Sequence, residues 1–132
     1  MRVDAAVGYA AAQSGHGIAY ARLSSLGNEH LLRVPFRLNR TFAPRQVGFA
    51  ALTAVAVTLR KRGIHNVGFA LEDQQLLDDL ATHRDLDESL VLPYVRLRCA
   101  LNALDEVAMR HAPEAVDLTA RASAEAAFSP AA

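Results

Sequence analysis

The chain has 132 residues, of which 52% are hydrophobic and 21% are charged. These proportions are typical of a single globular domain with a proper core, and they exclude an intrinsically disordered chain. Basic and acidic residues number 14 each, which argues against a protein that holds nucleic acid mainly by positive charge. The one cysteine, Cys99, excludes a disulfide framework and a thiolate metal site, and we expect it to be a small core residue.

No apolar run approaches the ~20 residues that a membrane-spanning helix needs. No charged segment followed by an apolar one precedes the first predicted strand. We therefore expect a soluble, cytoplasmic protein.

The first part of the chain alternates as β-strands do. Residues 2–10 predict strand one, whose two faces carry Val3, Ala5, Val7 and Tyr9, and Asp4, Ala6, Gly8 and Ala10. The turn Gly15-His16-Gly17 leads into strand two over 18–23. Strand three, over 32–38, contains Pro35, which has no amide hydrogen and is tolerated mainly at a sheet edge. We predict an antiparallel meander with strand three at the edge.

The period then changes to that of helices. Residues 44–62 predict a helix that begins near Pro44 and ends at Gly63. Strand four, 67–72, should be parallel to an earlier strand because it follows a crossover helix. The remaining predicted elements are a short acidic helix over 73–82, a loop over 84–88, a helix with the stripe Leu90, Tyr94, Leu97, Leu101 and Leu104, a strand over 106–111 and a helix over 114–127. Pro93 is expected in the first turn of the longer helix or just before a fresh start. We expect one domain over 1–121 and a frayed, alanine-rich tail over 122–132.

Four features follow one another along nearly the whole chain. Asp4 lies in strand one ahead of a glycine-containing turn, and residues 48–52 read Gly-Phe-Ala-Ala-Leu. Glu72 and Asp73 stand at the end of strand four, and Asp117 lies in the run 116–120. In this order the four features resemble the ribonuclease H-like family. Residues 48–52 resemble the family's first helix, where a Glu precedes an aromatic residue and an Ala-Leu pair, so that Gly48 occupies the glutamate position. The end of strand four resembles the family's Asp-containing run and aligns Glu72 with that Asp. The run Val116-Asp117-Leu118-Thr119-Ala120 resembles the Ala-Asp-x-Leu-Ala signature of the last helix.

The resemblance implies an α/β fold with a mixed five-stranded sheet, order 3-2-1-4-5, and helices on both faces. It also implies cleavage of RNA in RNA–DNA hybrids by carboxylates that hold two Mg²⁺ or Mn²⁺ ions about 4 Å apart. Asp4, Glu72 and Asp117 are the implied metal ligands, and Asp73 replaces Glu72 if strand four ends one residue later. Gly48 offers no ligand, and the run Ala43-Pro44-Arg45 lacks the amides with which the family contacts nucleic acid.

The alternation of side chains along the strands supports part of this site independently of the family resemblance. Asp4 and Glu72 lie on strand faces otherwise formed by Gly and Ala, so they can converge if strands one and four are neighbours. Each candidate also has a plainer interpretation. Asp4 is otherwise a relic or a solvated strand end, Asp73 a helix cap, and Asp117 a favourable charge near a helix start.

The other polar candidates are equally open. His111 is a candidate proton shuttle and a candidate for contacting nucleic acid, or otherwise a structural histidine at a strand end. Arg40 and Arg45 are candidates for contacting nucleic acid, or are scattered surface arginines. Asp78, Asp79, Asp85, Asp87 and Glu88 are expected on the solvated surface.

Three functions follow as hypotheses. The first is a divergent ribonuclease H-like protein with an incomplete metal site, weak or inactive as a nuclease, that binds nucleic acid or a protein. The second is an active Mg²⁺- or Mn²⁺-dependent ribonuclease that cleaves RNA in RNA–DNA hybrids. The third is a non-enzymatic interaction module, a homodimer formed through the exposed edge of strand three.

Overall fold

The computed structural model describes residues 1–82 and 86–128. Within these ranges lie five strands, four α-helices and one 3₁₀ turn. They are β1 (Val3–Ala11), β2 (His16–Ser25), β3 (Asn28–Arg37), α1 (Gln46–Lys61), β4 (Asn66–Leu71), α2 (Gln74–Ala81), α3 (Glu88–Asn102), β5 (Glu106–His111), a 3₁₀ turn (Pro113–Ala115) and α4 (Val116–Ala127). Residues Arg84 and Asp85 of the predicted loop, and the end of the tail, lie outside the described residues.

The strands form one mixed sheet in the order β3-β2-β1-β4-β5, which confirms the predicted fold class. β1, β2 and β3 form the antiparallel meander, and β3 is an edge strand, as Pro35 indicated. β4 runs parallel to β1, because α1 carries the chain back across the sheet before β4 begins. β5 extends the parallel part of the sheet beyond β4.

Alternation along β1 divides the sheet into two differently covered faces. Ala5 and Val7 pack in the larger core, with buried side chains from α1 and α3. Ala6 and Ala10 face a smaller core with Leu118 of α4. The small residues on this second face let α4 approach closely, because a Cβ added at Gly8 would lie only 2.4 Å from the amide nitrogen of Thr119. The side-chain pattern therefore fixes which helix covers which face.

Pro93 lies inside α3, in its second turn, rather than in its first turn or ahead of a fresh start. Proline has no amide hydrogen to donate to the carbonyl four residues earlier, which belongs to Ser89. The side-chain amide of Gln46 donates to that carbonyl at 2.8 Å. A side chain at the start of α1 thus compensates the interruption in α3 and joins the two helices.

Cys99 of α3 and the alanine-rich end of α4 differ from what the sequence predicts. Cys99 is exposed, so the expectation of a core cysteine is wrong; it lies beside exposed Arg98 on the outer side of α3. α4 extends to Ala127 as predicted, and Ala122 and Ala126 are buried against the sheet. The alanine-rich segment up to Ala127 is therefore packed helix rather than frayed chain.

Among the residues that the structure describes, no helix is both long enough and apolar enough to cross a membrane.

Candidate carboxylate site

The predicted ligands Asp4 and Glu72 do not converge. In the parallel register Asp4 lies beside Gly68, and Glu72 follows the end of β4 four residues further on. At about 3.3 Å per residue, this separates the two positions by ~13 Å along the strands. Asp4 is exposed and pairs with Arg2 at 3.1 Å. The alternation of side chains correctly placed both residues on one face of the sheet, but it does not indicate how far apart they lie along the strands.

Glu72 lies between the carboxyl end of β4 and α4. Its backbone amide donates to the carbonyl of Val7 at 3.4 Å, and in the parallel register Glu72 therefore lies beside Gly8 of β1. Its carboxylate accepts a hydrogen bond from the hydroxyl of Thr119 at 3.0 Å. The ring Nε2 of His111 lies 3.1 Å from the backbone carbonyl oxygen of Glu72. Of the predicted site residues, Glu72 and His111 are thus neighbours, but through the backbone of Glu72 rather than its carboxylate.

Asp73 is the N-cap of α2. One carboxylate oxygen accepts from the backbone amide of Gln75 at 3.0 Å, which confirms the capping interpretation. The other accepts from the hydroxyl of Tyr9 at 2.5 Å. Burial, reinforced by the hydrogen bond to Asp73, raises the pKa of Tyr9 well above its ordinary value. The phenol is therefore neutral at physiological pH and acts as a hydrogen-bond donor.

The space beside Gly48 is filled by the same tyrosine. A Cβ added at Gly48 would lie 2.5 Å from the hydroxyl oxygen of Tyr9 and 3.3 Å from a methyl group of Leu76. The side chain next to Gly48 is consequently a phenol, and its hydroxyl donates to the carboxylate of Asp73. Sequence reasoning missed Tyr9 because it lies on the core-facing side of β1. The available signal was that a buried tyrosine hydroxyl requires an acceptor.

Asp117 lies apart from this group, in the first turn of α4. It pairs with Arg22 of β2, whose guanidinium also lies 3.5 Å from the carboxylate of Glu29. The hydrogen bond from Arg22 lowers the pKa of Asp117. Within residues 1–82 and 86–128, no three His, Cys, Asp or Glu side chains are grouped so that they could hold a metal ion. The predicted ligands Asp4, Glu72 and Asp117 form no such group among the described residues.

Arg45 is held by a buried carboxylate. Its guanidinium pairs with Asp79, with one contact of 3.2 Å from Nε to Oδ2, and this hydrogen bonding raises the pKa of Arg45. Asp79 is 2% exposed and also accepts from the side-chain amide of Gln75 at 3.0 Å. The expectation that Asp79 is solvated is wrong, because Arg45 and Gln75 satisfy it in the interior, whereas Asp78 is exposed. Arg40 lies exposed in the turn between β3 and α1.

The strand order 3-2-1-4-5, with α1 and α3 on one face of the sheet and α4 on the other, is that of the ribonuclease H fold. The comparison with solved structures agrees with this assignment. An RNase H1 from the halophilic archaeon Halobacterium salinarum NRC-1 is similar with a TM-score of 0.74 and 23% sequence identity, over 96% of this chain and 98% of that one.

Two other structures show the same fold. The N-terminal RNase H domain of a Mycobacterium tuberculosis protein has a TM-score of 0.71 at 12% identity, over 92% of this chain and 95% of that one. An RNase H1 isolated from compost by a metagenomic approach has a TM-score of 0.61 at 11% identity, over 93% and 91%. No family model and no curated protein matches the chain. What the chain shares with these structures is the fold.

Proposed function

We propose that this chain is a divergent ribonuclease H-like protein whose carboxylate site does not support two-metal hydrolysis and whose fold serves as a binding scaffold. One observation carries the proposal. The hydroxyl of Tyr9 fills the space beside Gly48 and donates to Asp73 at 2.5 Å.

The chemistry of the donors supports this interpretation. Mg²⁺ binds hard, anionic oxygens and gives up its water ligands reluctantly. Tyr9 offers a neutral phenol, and each carboxylate oxygen of Asp73 already accepts a hydrogen bond, one from Tyr9 and one from the amide of Gln75, which leaves fewer lone pairs for an ion. Asp4 and Asp117 are paired with arginines elsewhere on the molecule. The residues present do not fit a pair of magnesium or manganese ions.

The partner that we propose for the scaffold is nucleic acid, with an RNA–DNA hybrid as the first candidate. The support is the fold together with Arg37 and Arg40, which are exposed near the end of β3 and make no ion pair with any described residue. Arg45, in contrast, is tied to Asp79 and is a structural link between α1 and α2. Because the chain has a formal net charge of +0, we expect its binding to nucleic acid to be weak.

The test combines cleavage and binding of a labelled RNA–DNA hybrid with Mg²⁺ or Mn²⁺. We expect no cleavage by the natural chain, and hybrid binding that is unchanged when EDTA removes the metal. Metal-dependent cleavage that disappears in Asp73→Asn, but not in the exposed control Asp105→Asn, would establish an active nuclease and refute the proposal.

A second experiment asks whether Tyr9 and Gly48 are what disable the site. Gly48→Glu alone would clash with the tyrosine, so the informative variant is Tyr9→Asp/Gly48→Glu. It brings two carboxylates next to Asp73, and its matched control, Tyr9→Asn/Gly48→Gln, has nearly the same shape without the charge. We expect Mg²⁺ to raise the melting temperature of the first variant only. An equal response of both variants, or a response of the natural chain, would contradict the role assigned to Tyr9.

The structure offers less support for a homodimer through β3. The strand is an edge, but Pro35 removes one of its donors, and Glu29, Arg33 and Arg37 place charges along it. Prolines and charges are the devices with which natural proteins block pairing between sheet edges. Sedimentation at increasing concentration tests this alternative directly, since a dimer through β3 predicts a concentration-dependent mass.

A further inference from the structure

An open groove of about 620 Å³ lies between α1, α3 and the end of β3, and we refer to it as the α1–α3 groove. Its apolar surface comes from Ala50 and Ala54 of α1 and from Leu92 and Pro93 of α3, above the buried ring of Phe49. Ala50 and Ala54 are one helical turn apart and have little side chain to fill the space between the helices. The depth of the groove follows from these small residues.

Several polar groups of the groove are already bonded within the protein. The hydroxyl of Thr53 donates to the carbonyl of Phe49 at 2.7 Å. The side-chain amide of Gln46 donates to Ser89 at 2.8 Å, and its oxygen accepts from Ala43 at 3.0 Å. These bonds leave the groove less polar than its residue types suggest, and a ligand in it would meet mainly hydrocarbon.

The apolar surface continues beyond the groove along α3. Leu92 is 56% exposed, and Val91 and Val95, which lie four residues apart on the neighbouring row of the helix, are 49% and 47% exposed. On the α1 side, Val57 continues the row of Ala50 and Thr53 and is also exposed. Contiguous exposed aliphatic side chains of this kind mark binding surfaces in soluble proteins. The surface is elongated, as a chain segment requires, rather than a closed cavity for a small molecule.

The charged side chains that line the groove, among the described residues, are all basic. Arg37 and Arg96 line it, and neither makes an ion pair with a described residue. No acidic side chain is found among the described residues that line it. The groove therefore combines an apolar floor with two cationic groups that an incoming anion can reach.

We propose that the α1–α3 groove docks an amphipathic, acidic segment of a partner protein. Aliphatic side chains of that segment lie between α1 and α3 and cover Leu92, and its Asp or Glu side chains pair with Arg37 and Arg96. A helix with apolar residues at spacings of three and four presents such a stripe, and helix-in-groove recognition has these elements. The inference does not depend on whether the chain cuts RNA–DNA hybrids, and since Arg37 is also a proposed hybrid contact, the segment and a hybrid would compete for that side chain.

A nucleic acid fits this groove less well than an acidic peptide does. Stacking of unpaired bases needs exposed aromatic faces, and the aromatic ring that lines the groove, Phe49, is 0% exposed. A phosphate backbone needs polar groups along its path, whereas the floor here is aliphatic. Two arginines at the margin of an apolar surface are better matched by a few carboxylates beside apolar side chains.

The test is a selection of random peptides of roughly 16 residues, long enough to form a helix, displayed on phage against the natural chain. We expect the enriched peptides to combine aliphatic residues at helical spacing with Asp or Glu. Their affinities are then measured by fluorescence anisotropy on variants of the groove. Leu92→Asp and Arg37→Glu/Arg96→Glu should each bind at least about tenfold more weakly.

The matched control is Arg60→Glu, which reverses an exposed arginine near the far end of α1 and should leave peptide binding unchanged. Circular dichroism establishes that each variant is folded. The proposal is overturned if no peptide is enriched, if the enriched peptides are basic, or if Leu92→Asp binds them as well as the natural chain does. Loss of RNA–DNA hybrid binding in Leu92→Asp, without enrichment of any peptide, would assign the groove to nucleic acid instead.

Discussion

Gly8→Ala should destabilise the fold more than any other glycine-to-alanine change in the sheet, because Gly8 is where α4 meets β1. The added Cβ would lie 2.4 Å from the amide nitrogen of Thr119 and 2.7 Å from the carbonyl carbon of Leu118. Both atoms are backbone atoms of a helix and cannot rotate away as the end of a side chain can. An ordinary contact would require α4 to move outward by about 1 Å, against a densely packed interior that resists such shifts.

The cost can be estimated from what that movement disturbs. α4 buries Leu118, Ala122 and Ala126 against the sheet, and Glu72 is bonded to Thr119. Overpacking of this kind costs about 1–3 kcal/mol. The lower chain entropy of alanine in the unfolded state returns about 0.4–1 kcal/mol. We therefore expect the free energy of unfolding to fall by roughly 2 kcal/mol, since the obstacle is backbone.

The matched control is Gly68→Ala in β4, on the same face of the sheet. There the three atoms nearest to the added Cβ all belong to the guanidinium of Arg2, the first at 2.2 Å, and an exposed arginine side chain can swing aside. Its expected change is close to zero. Urea unfolding followed by circular dichroism measures both variants, and unchanged m-values would show that the difference is one of stability. Equal midpoints for the two variants would refute the close approach of α4 to β1.

Three further predictions concern polar contacts. Tyr9→Phe should lower the free energy of unfolding by about 1–2 kcal/mol, because the carboxylate of Asp73 loses a donor. Since the folded state raises the pKa of Tyr9, the natural chain should lose stability as pH rises above ~10. Unfolding measured at pH 7 and at pH 11 should show a smaller loss of stability for Tyr9→Phe than for the natural chain. Arg45→Met should lower the melting temperature because it leaves a buried carboxylate without its cation, whereas Arg40→Met should not; equal melting temperatures would contradict the structural role of Arg45. Because the folded state lowers the pKa of Asp117, the contribution of this carboxylate to stability should disappear as pH falls below ~4. In a pH series of melting temperatures, Asp117→Asn should therefore lose less stability at acid pH than the natural chain does.

Most residues of the carboxylate site could be named from the sequence, but their positions relative to one another could not. The sequence indicated Glu72 and Asp73 at the end of β4 and offered capping as one of two roles for Asp73, which the structure confirms. That Gly48 stands in place of a glutamate remains what the family resemblance implies. The sequence did not indicate that Asp4 and Glu72 are offset by ~13 Å along the strands, because alternation has a period of two and is the same all along a strand. Nor did it indicate Tyr9, whose neighbours come from α1 and from the start of α2.

The sequence by itself determined the order of strands and helices, the two faces of β1, the edge position of β3 and the parallel course of β4. These properties follow from local periodicity, from Pro35 and from the right-handed crossover, and each is written into a few neighbouring residues. The tertiary structure alone decided which side chains meet: Tyr9 with Asp73, Arg45 with Asp79, and Gln46 with the carbonyl freed by Pro93. Those pairs join residues that are far apart in the chain, and their contacts depend on register and helix placement, which are set only when the whole core packs.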